Sequence, residues 1–458
     1  MLELSAMDTQ FFPSYSHLAL IAGTFFLNVL FGYFRSRTRT WSLAWFFWTN
    51  ASVIPIIYLM IKWNVSPLWI PILVLMVAAG QLIGGYLYHP QVSEEDIEKS
   101  EHISDGKIYP EPNEHVSDSE IAVVLLNMGG PKTIADVKDF LYRLFSDSLI
   151  IRLPWPWLTQ KLFAMIIVNA RHQEAQKRYA LIGGGSPIYA STEAQTMALE
   201  MELKRRGRNL FVTYSFNYSD PLPEETLAQI RRSGQKYILP VSLYPHNSFA
   251  TTGSNMHYLN KAAKRVYPSA AFLPCRSYYL ADSYINAFVD RILEQLKPSE
   301  SLDDFYLLFS AHGLPLYFLL EGDPYAFEIA QTVARIVDRL KKQDSWVIAY
   351  QSAVGPMRWL KPSTEAMINH LAKRGIKKLL VVPVSFVSDH IETLCEIDIE
   401  YRAVAESAGI KDFRVSKALE CHPGFIHALA DCVENSLGRS SKRQSILSKI
   451  RQELNNVL

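Results

Sequence analysis

The chain has 458 residues, 49% hydrophobic and 20% charged, with a formal net charge of +1. At roughly 150 residues per domain, that length suggests about three domains. The balance excludes a disordered tail protein, and the lack of a basic excess argues against a nucleic-acid binder. The four cysteines, Cys275, Cys395, Cys421 and Cys432, include no Cys-x-x-Cys pair. They exclude a disulfide scaffold, signal neither a zinc ribbon nor a redox dithiol, and suit a reducing compartment.

Residues 1–88 are nearly uncharged apart from Glu3, Asp8, Arg35, Arg37, Arg39 and Lys62. Three apolar runs, Leu18–Phe34, Trp41–Ile61 and Val65–Tyr88, contain no Asp, Glu, Lys, Arg or His. Crossing a bilayer takes about 20 residues, so the runs predict three transmembrane helices. Tyr33, Trp41, Trp63, Trp69 and Tyr88 near their ends suit the headgroup region. The acidic N-terminus and the repeated apolar segments exclude a signal peptide. A soluble helical hairpin would need a polar stripe that these runs lack. The basic stretch Arg35–Arg39 is expected in the cytoplasm. That orientation gives a multi-pass inner (cytoplasmic) membrane protein with its N-terminus outside and the remaining chain in the cytoplasm. Without intramembrane ionisable groups the segment reads as an anchor, not a transport path.

From residue 89 to 118 the composition turns acidic, which predicts an extended, self-repelling linker. His89, His102 and His115 among those carboxylates could hold a metal only loosely; a solvated linker is the ordinary reading.

The body alternates two patterns. Ile121–Met128, Phe211–Phe216, Tyr237–Leu243 and Ala271–Leu273 read as buried parallel strands, and a second set follows at Phe305–Ser310, Trp346–Gln351, Leu379–Phe386 and Phe413–Lys417. Helical patterns lie between them at Ala135–Phe145, Thr192–Arg206, Ala281–Leu296, Ala326–Lys341 and Thr364–Arg374. The alternation predicts two similar α/β lobes, 119–296 and 297–440, then a helical tail, 441–458. Ligands are expected at the carboxyl ends of the strands.

Polar residues gather at those ends. Asn127-Met-Gly-Gly-Pro131 follows the first strand; Tyr244-Pro-His-Asn-Ser248 and Thr251-Thr-Gly-Ser254 follow the third. Ser310-Ala-His-Gly-Leu-Pro315, Tyr350-Gln-Ser and Ser388-Asp-His-Ile-Glu-Thr393 do the same in the second set. Gly and Pro beside a lone His or Ser let the backbone approach a ligand and fix the side chain's direction. Glu392 and Glu396 are spaced i, i+4, so a helix beginning near Asp389 would place both carboxylates on one face, with Glu400 continuing the line. Gly183-Gly-Gly-Ser-Pro187 lacks the Lys-Ser/Thr of a P-loop and follows no strand, which argues against nucleotide binding.

These motifs, with Leu126-Asn-Met-Gly-Gly-Pro131, Ile182-Gly-Gly-Gly-Ser-Pro-Ile188 and Ser388-Asp-His-Ile-Glu-Thr-Leu394, resemble those of the ferrochelatases over about 121–435. The resemblance implies a chelatase-like fold of two Rossmann-like lobes, each with a four-stranded parallel sheet. It implies insertion of Fe²⁺ into protoporphyrin IX to form protohaem, with release of two protons, as the last step of haem synthesis. By the same resemblance His312 and Glu392 are catalytic and meet the substrate metal, with His390, Glu396 and Asp431 in a supporting proton and metal network. Met128, Arg171, Ser186, Tyr350 and Gln351 are then expected at the porphyrin. The implied partners are protoporphyrin IX, Fe²⁺, the lipid bilayer and the oxidase that precedes this step; no nucleic acid is expected. Asn247, Cys395 and Cys421 depart from the family pattern. Ser436–Leu458 has no cysteine, so no iron–sulfur cluster and no other permanent cofactor is expected. The alternatives are a chelatase for another metal or tetrapyrrole, such as coproporphyrin III or sirohydrochlorin, and a membrane-tethered carrier without catalysis.

Overall fold

The computed structural model describes residues 15–36, 38, 43–63, 65–66, 69–87, 116–151, 156–275, 277–353 and 357–438. Most of the expected acidic linker, with His89, His102 and His115, lies outside the described residues, as do Arg37, Arg39 and the tail 441–458. The chain divides into two units, Met1–Ser93 and Glu94–Leu458.

The first unit contains helices α1 (Tyr15–Ser36), α2 (Leu43–Asn50), α3 (Val53–Lys62) and α4 (Ile70–Leu87). A turn at Ala51 and Ser52 separates α2 from α3, since Pro55 has no N–H to offer the Ala51 carbonyl. Among the described residues, two stretches are long and apolar enough to cross a membrane, His17–Arg35 and Ala44–Lys62, whereas Ile70–Gln81 is a shorter apolar helix. The expectation of three spans is therefore corrected to two. The third run loses length because Val65 and Ser66 are not helical, and α4 begins at Ile70 with Pro71 in its first turn. Glycine lets α1 and α4 approach closely: a Cβ on Gly32 would sit 2.5 Å from the Gln81 carbonyl oxygen. The Asn28 side-chain oxygen accepts from Ser52 Oγ (2.9 Å) and Gln81 Nε2 (3.1 Å), joining α1 to the α2–α3 turn and to α4. Asn50 instead bonds the Phe46 carbonyl of its own helix.

The second unit contains β1 (Ile121–Asn127), β2 (Phe211–Phe216), β3 (Tyr237–Ser242), β4 (Ala271–Phe272), β5 (Tyr306–His312), β6 (Trp346–Gln351), β7 (Lys378–Pro383) and β8 (Asp412–Val415). They form two four-stranded sheets with the same order, β2-β1-β3-β4 and β6-β5-β7-β8, paired in parallel throughout. The expected pair of similar lobes is present.

Alternation along the strands sends side chains to two cores. Ile121, Val123 and Leu125 of β1 join Leu307, Phe309 and Ala311 of β5 in one cluster shared by both lobes, together with Phe425, Leu429 and Val433 of the helix 423–438. Ala122, Val124 and Leu126 face a core confined to the first lobe, and Leu308, Leu379 and Val381 face its counterpart in the second. β1 is buried over its whole length, which explains its unbroken apolar sequence. In each sheet the first strand is flanked by the next two, so the chain reverses direction across the sheet beside β1 and beside β5. Ligands of open α/β sheets bind outside the strand ends at such reversal points.

Candidate active site

β5 ends on His312, two residues beyond the predicted strand end, and this places the imidazole at the reversal point of the second lobe. Its backbone is fixed from both sides. The N–H donates to Ser385 Oγ (2.9 Å), and the carbonyl accepts from the Tyr325 hydroxyl (2.9 Å). Gly313 is required next, because a Cβ there would lie 2.6 Å from the Gln351 carbonyl oxygen. Gln351 is the register partner of His312 on β6, and its side-chain oxygen accepts from Ser310 Oγ at 2.6 Å.

Glu392 stands between two histidines. One carboxylate oxygen is 3.7 Å from His312 Nδ1 and the other is 2.5 Å from His390 Nε2. Phe386 lies edge-on to both imidazoles, with ring centroids 6.2 Å from His312 and 4.2 Å from His390. The side chains of His312 and Glu392 are 34% and 25% exposed, so both reach the surface of the cleft, whereas His390 is buried behind them. Nδ1 of each histidine is buried without a hydrogen-bond partner among the described residues. Burial pushes the Glu392 carboxyl up, but the charge and hydrogen bond of His390, with the charges of His312 and Arg178, outweigh it and hold it at about 2. Glu392 is therefore a carboxylate at neutral pH. Tyr179, Tyr244 and Tyr325 feel its charge, and burial chiefly raises their phenols, so all three stay protonated around it.

The predicted acidic line is altered by its helix. Glu392–Tyr401 forms a π-helix, whose wider turn no longer stacks residues four apart. Each carboxylate has a separate task. Glu396 accepts from Ser352 N–H (2.8 Å), Ser352 Oγ (2.6 Å) and the Tyr401 hydroxyl (2.7 Å), so it braces the loop after β6. Glu400 pairs with Arg178 at 2.8 Å. Arg178 also bonds Cys395, one of the departures from the family pattern, and its charge reaches Glu392.

The remaining expected residues divide. Met128 directly follows β1, and its N–H donates to the Tyr244 hydroxyl (3.2 Å), whose phenol lies within the field of Glu392. Ser186 packs on Gly130, where a Cβ would meet its own Cβ at 2.5 Å, so the triple-glycine segment lines the same loop as Met128. Tyr350 is half-buried beside Tyr325. One expectation needs correction. Asp431 does not join the histidines: it pairs with Arg206 at 2.6 Å, an arginine that also holds Glu202 and Glu434. Arg171 is exposed on the helix Pro156–Leu181, and Arg178, seven positions on along the same helix, is the cation beside the acidic line. That spacing puts both on one helix face, a signal present in the sequence but not used to find Arg178. Of the other departures, Asn247 donates its backbone and side-chain N–H groups to the buried Glu328, and Cys421 is exposed.

A family model described as Ferrochelatase matches residues 120–437. The chain belongs to the ferrochelatase family. Among its relatives, the ferrochelatase of Trichodesmium erythraeum is 43% identical over 327 residues, 71% of this chain and 84% of that one. That of Synechococcus elongatus is 44% identical over 321 residues, 69% and 82% of the two chains. The ferrochelatase of Gloeobacter violaceus is 43% identical and is covered over 100% of its length. Of solved structures, SirB from Bacillus subtilis with Fe³⁺ is similar at a TM-score of 0.42 and 16% identity, over 70% of this chain and 98% of that one. The chain is a metal chelatase of haem biosynthesis, with a porphyrin and iron as the substrates its family implies.

Proposed function

We propose that the enzyme inserts Fe²⁺ specifically into protoporphyrin IX, with His312 as the proton acceptor and the Glu392–His390 pair holding negative charge beside it. The carrying observation is the ionised Glu392 bridging an accessible imidazole and a buried one. Insertion exchanges one Fe²⁺ for two pyrrolic protons, so the site must accept protons while presenting negative charge to the metal. Nδ1 of His312 faces Glu392, which leaves Nε2 directed to the substrate as the base. The imidazolium formed is stabilised by Glu392, which the His390 hydrogen bond keeps ionised, and it passes its proton to solvent. Clearing the first proton in this way frees His312 for the second. Met128, Tyr350 and Gln351 shape the porphyrin wall, and Arg171 and Ser186 hold propionates in this reading.

His312→Ala and Glu392→Gln each reduce turnover by at least about 100-fold, the lower end for lost acid–base catalysis. Near-normal rates in folded variants would remove the pair from the mechanism. Coproporphyrin III, sirohydrochlorin, Co²⁺ and Ni²⁺ assayed in parallel decide substrate and metal choice. Binding of porphyrin without any metal insertion would instead identify a carrier.

We further propose that the apolar unit holds the body at a membrane surface. Protoporphyrin partitions into bilayers, so tethering raises its effective concentration at the cleft and shortens its path from the preceding oxidase.

A further inference from the structure

Cys275 and Cys432 are 157 positions apart in the chain, yet their sulfur atoms are 2.9 Å apart. Cys275 lies in the segment after β4, the edge strand of the first lobe, and Cys432 lies on the helix 423–438. We propose that these two thiols form a reversible disulfide that clasps the helix 423–438 to the first lobe. A disulfide bond is about 2.0 Å long, so closing the pair needs a sulfur shift of less than about 1 Å.

The surroundings hold the pair in register. Tyr278, three residues after Cys275, packs its ring 6.0 Å from that of Phe425 on the helix. Ser436 Oγ donates to the Cys432 carbonyl at 2.8 Å. The junction is already bridged without covalent bonds, since Arg206 of the first lobe pairs with Asp431 (2.6 Å) and Glu434 (2.7 Å) on the same helix. The loop that the disulfide closes contains all four strands of the second lobe, His312 and Glu392 included. Oxidation therefore ties the two halves of the catalytic cleft together without touching a residue of the site.

The two sulfurs have unequal roles. The hydrogen bond from Cys432 lowers the Cys275 thiol against the opposing effect of burial, while Cys432 is raised by sharing its proton with Cys275 and by burial. Cys275, half-buried, is the attacking thiolate. With oxidised glutathione as the oxidant, the Cys275 thiolate attacks one sulfur and releases one glutathione thiolate. Cys432 then gives up its proton and attacks the mixed disulfide at Cys275, releasing the second glutathione. Two protein thiols are oxidised, one glutathione disulfide is reduced, and the two protons pass to the departing thiolates.

The test uses the full chain in detergent, treated with oxidised glutathione, alkylated in denaturant as it unfolds and digested without reductant. The expected result is one linked peptide carrying Cys275 and Cys432. It should be accompanied by a rise in melting temperature of about 5 °C that dithiothreitol reverses. Cys275→Ser and Cys432→Ser each abolish both signals; because the mapping is made on the unaltered chain, the result does not depend on either variant folding. If Cys275 and Cys432 are recovered as alkylated thiols while the exposed Cys421 takes up glutathione, the proposal is overturned. It also fails if the linked peptide forms but the melting temperature does not rise.

Discussion

Glu392 works because opposing effects are unequal: burial alone would protonate it, and His390 at 2.5 Å keeps it ionised. The folded value lies below the ordinary carboxyl range, so this pairing stabilises the fold above that range. Its contribution is lost as pH falls toward about 2. His390→Ala removes the nearest cation and leaves burial to push Glu392 up. The acid limb of the pH–rate profile should then move to higher pH by about one unit or more. An unchanged limb would show that His390 does not set the charge of Glu392. His312 could be named from sequence because it follows a strand in a Gly- and Pro-bearing turn, and His390 and Glu392 because they follow the seventh strand within a motif that resembles the family's. Asp431 could not be placed, because its partner Arg206 is 225 positions away and only the fold brings them together.

The π-helix Glu392–Tyr401 is held at its inner side by Glu396, which gathers donors from Ser352 and Tyr401. Ser352 has a positive φ of 64°, a conformation that a non-glycine residue keeps only when its surroundings fix it. Glu396→Ala should lower stability by about 2–3 kcal/mol in urea titration, whereas Glu396→Gln, which keeps an acceptor, should lose less. Equal losses would mean that the carboxylate contributes volume and not hydrogen bonds. At this scale the strands were the most legible elements, since burial on both faces leaves continuous apolar runs such as β1. The helix Pro156–Leu181 was not legible: exposed Trp157, Leu162, Met165 and Ile166 blur the polar face that would have marked it. An i, i+4 pair of glutamates reads as α-helical, and nothing local in the sequence announces the wider turn. The Cys275–Cys432 contact was equally hidden, because no spacing rule joins thiols so far apart.

Over the whole molecule, the chain divides into an apolar unit, Met1–Ser93, and a catalytic body within Glu94–Leu458. Deleting residues 1–88 should leave a soluble, folded body that metallates detergent-dispersed porphyrin, checked by gel filtration and turnover. A folded but inactive body would show that the helices do more than anchor. With two spans, reporters fused before Met1 and after Leu458 should read from the same side of the membrane; signals from opposite sides would restore a third span. The two-lobe design was legible because two successive sets of strands repeat one pattern, whereas the number of membrane spans was not, since no charged residue between Val65 and Tyr88 marks where the helix begins. The most direct measurement is anaerobic incubation of the purified full chain with Fe²⁺ and protoporphyrin IX, following porphyrin fluorescence. Rapid loss of fluorescence with formation of haem, abolished in His312→Ala and Glu392→Gln, is the predicted result. Fluorescence that persists with the unaltered protein, while another porphyrin or metal is consumed, would contradict the account.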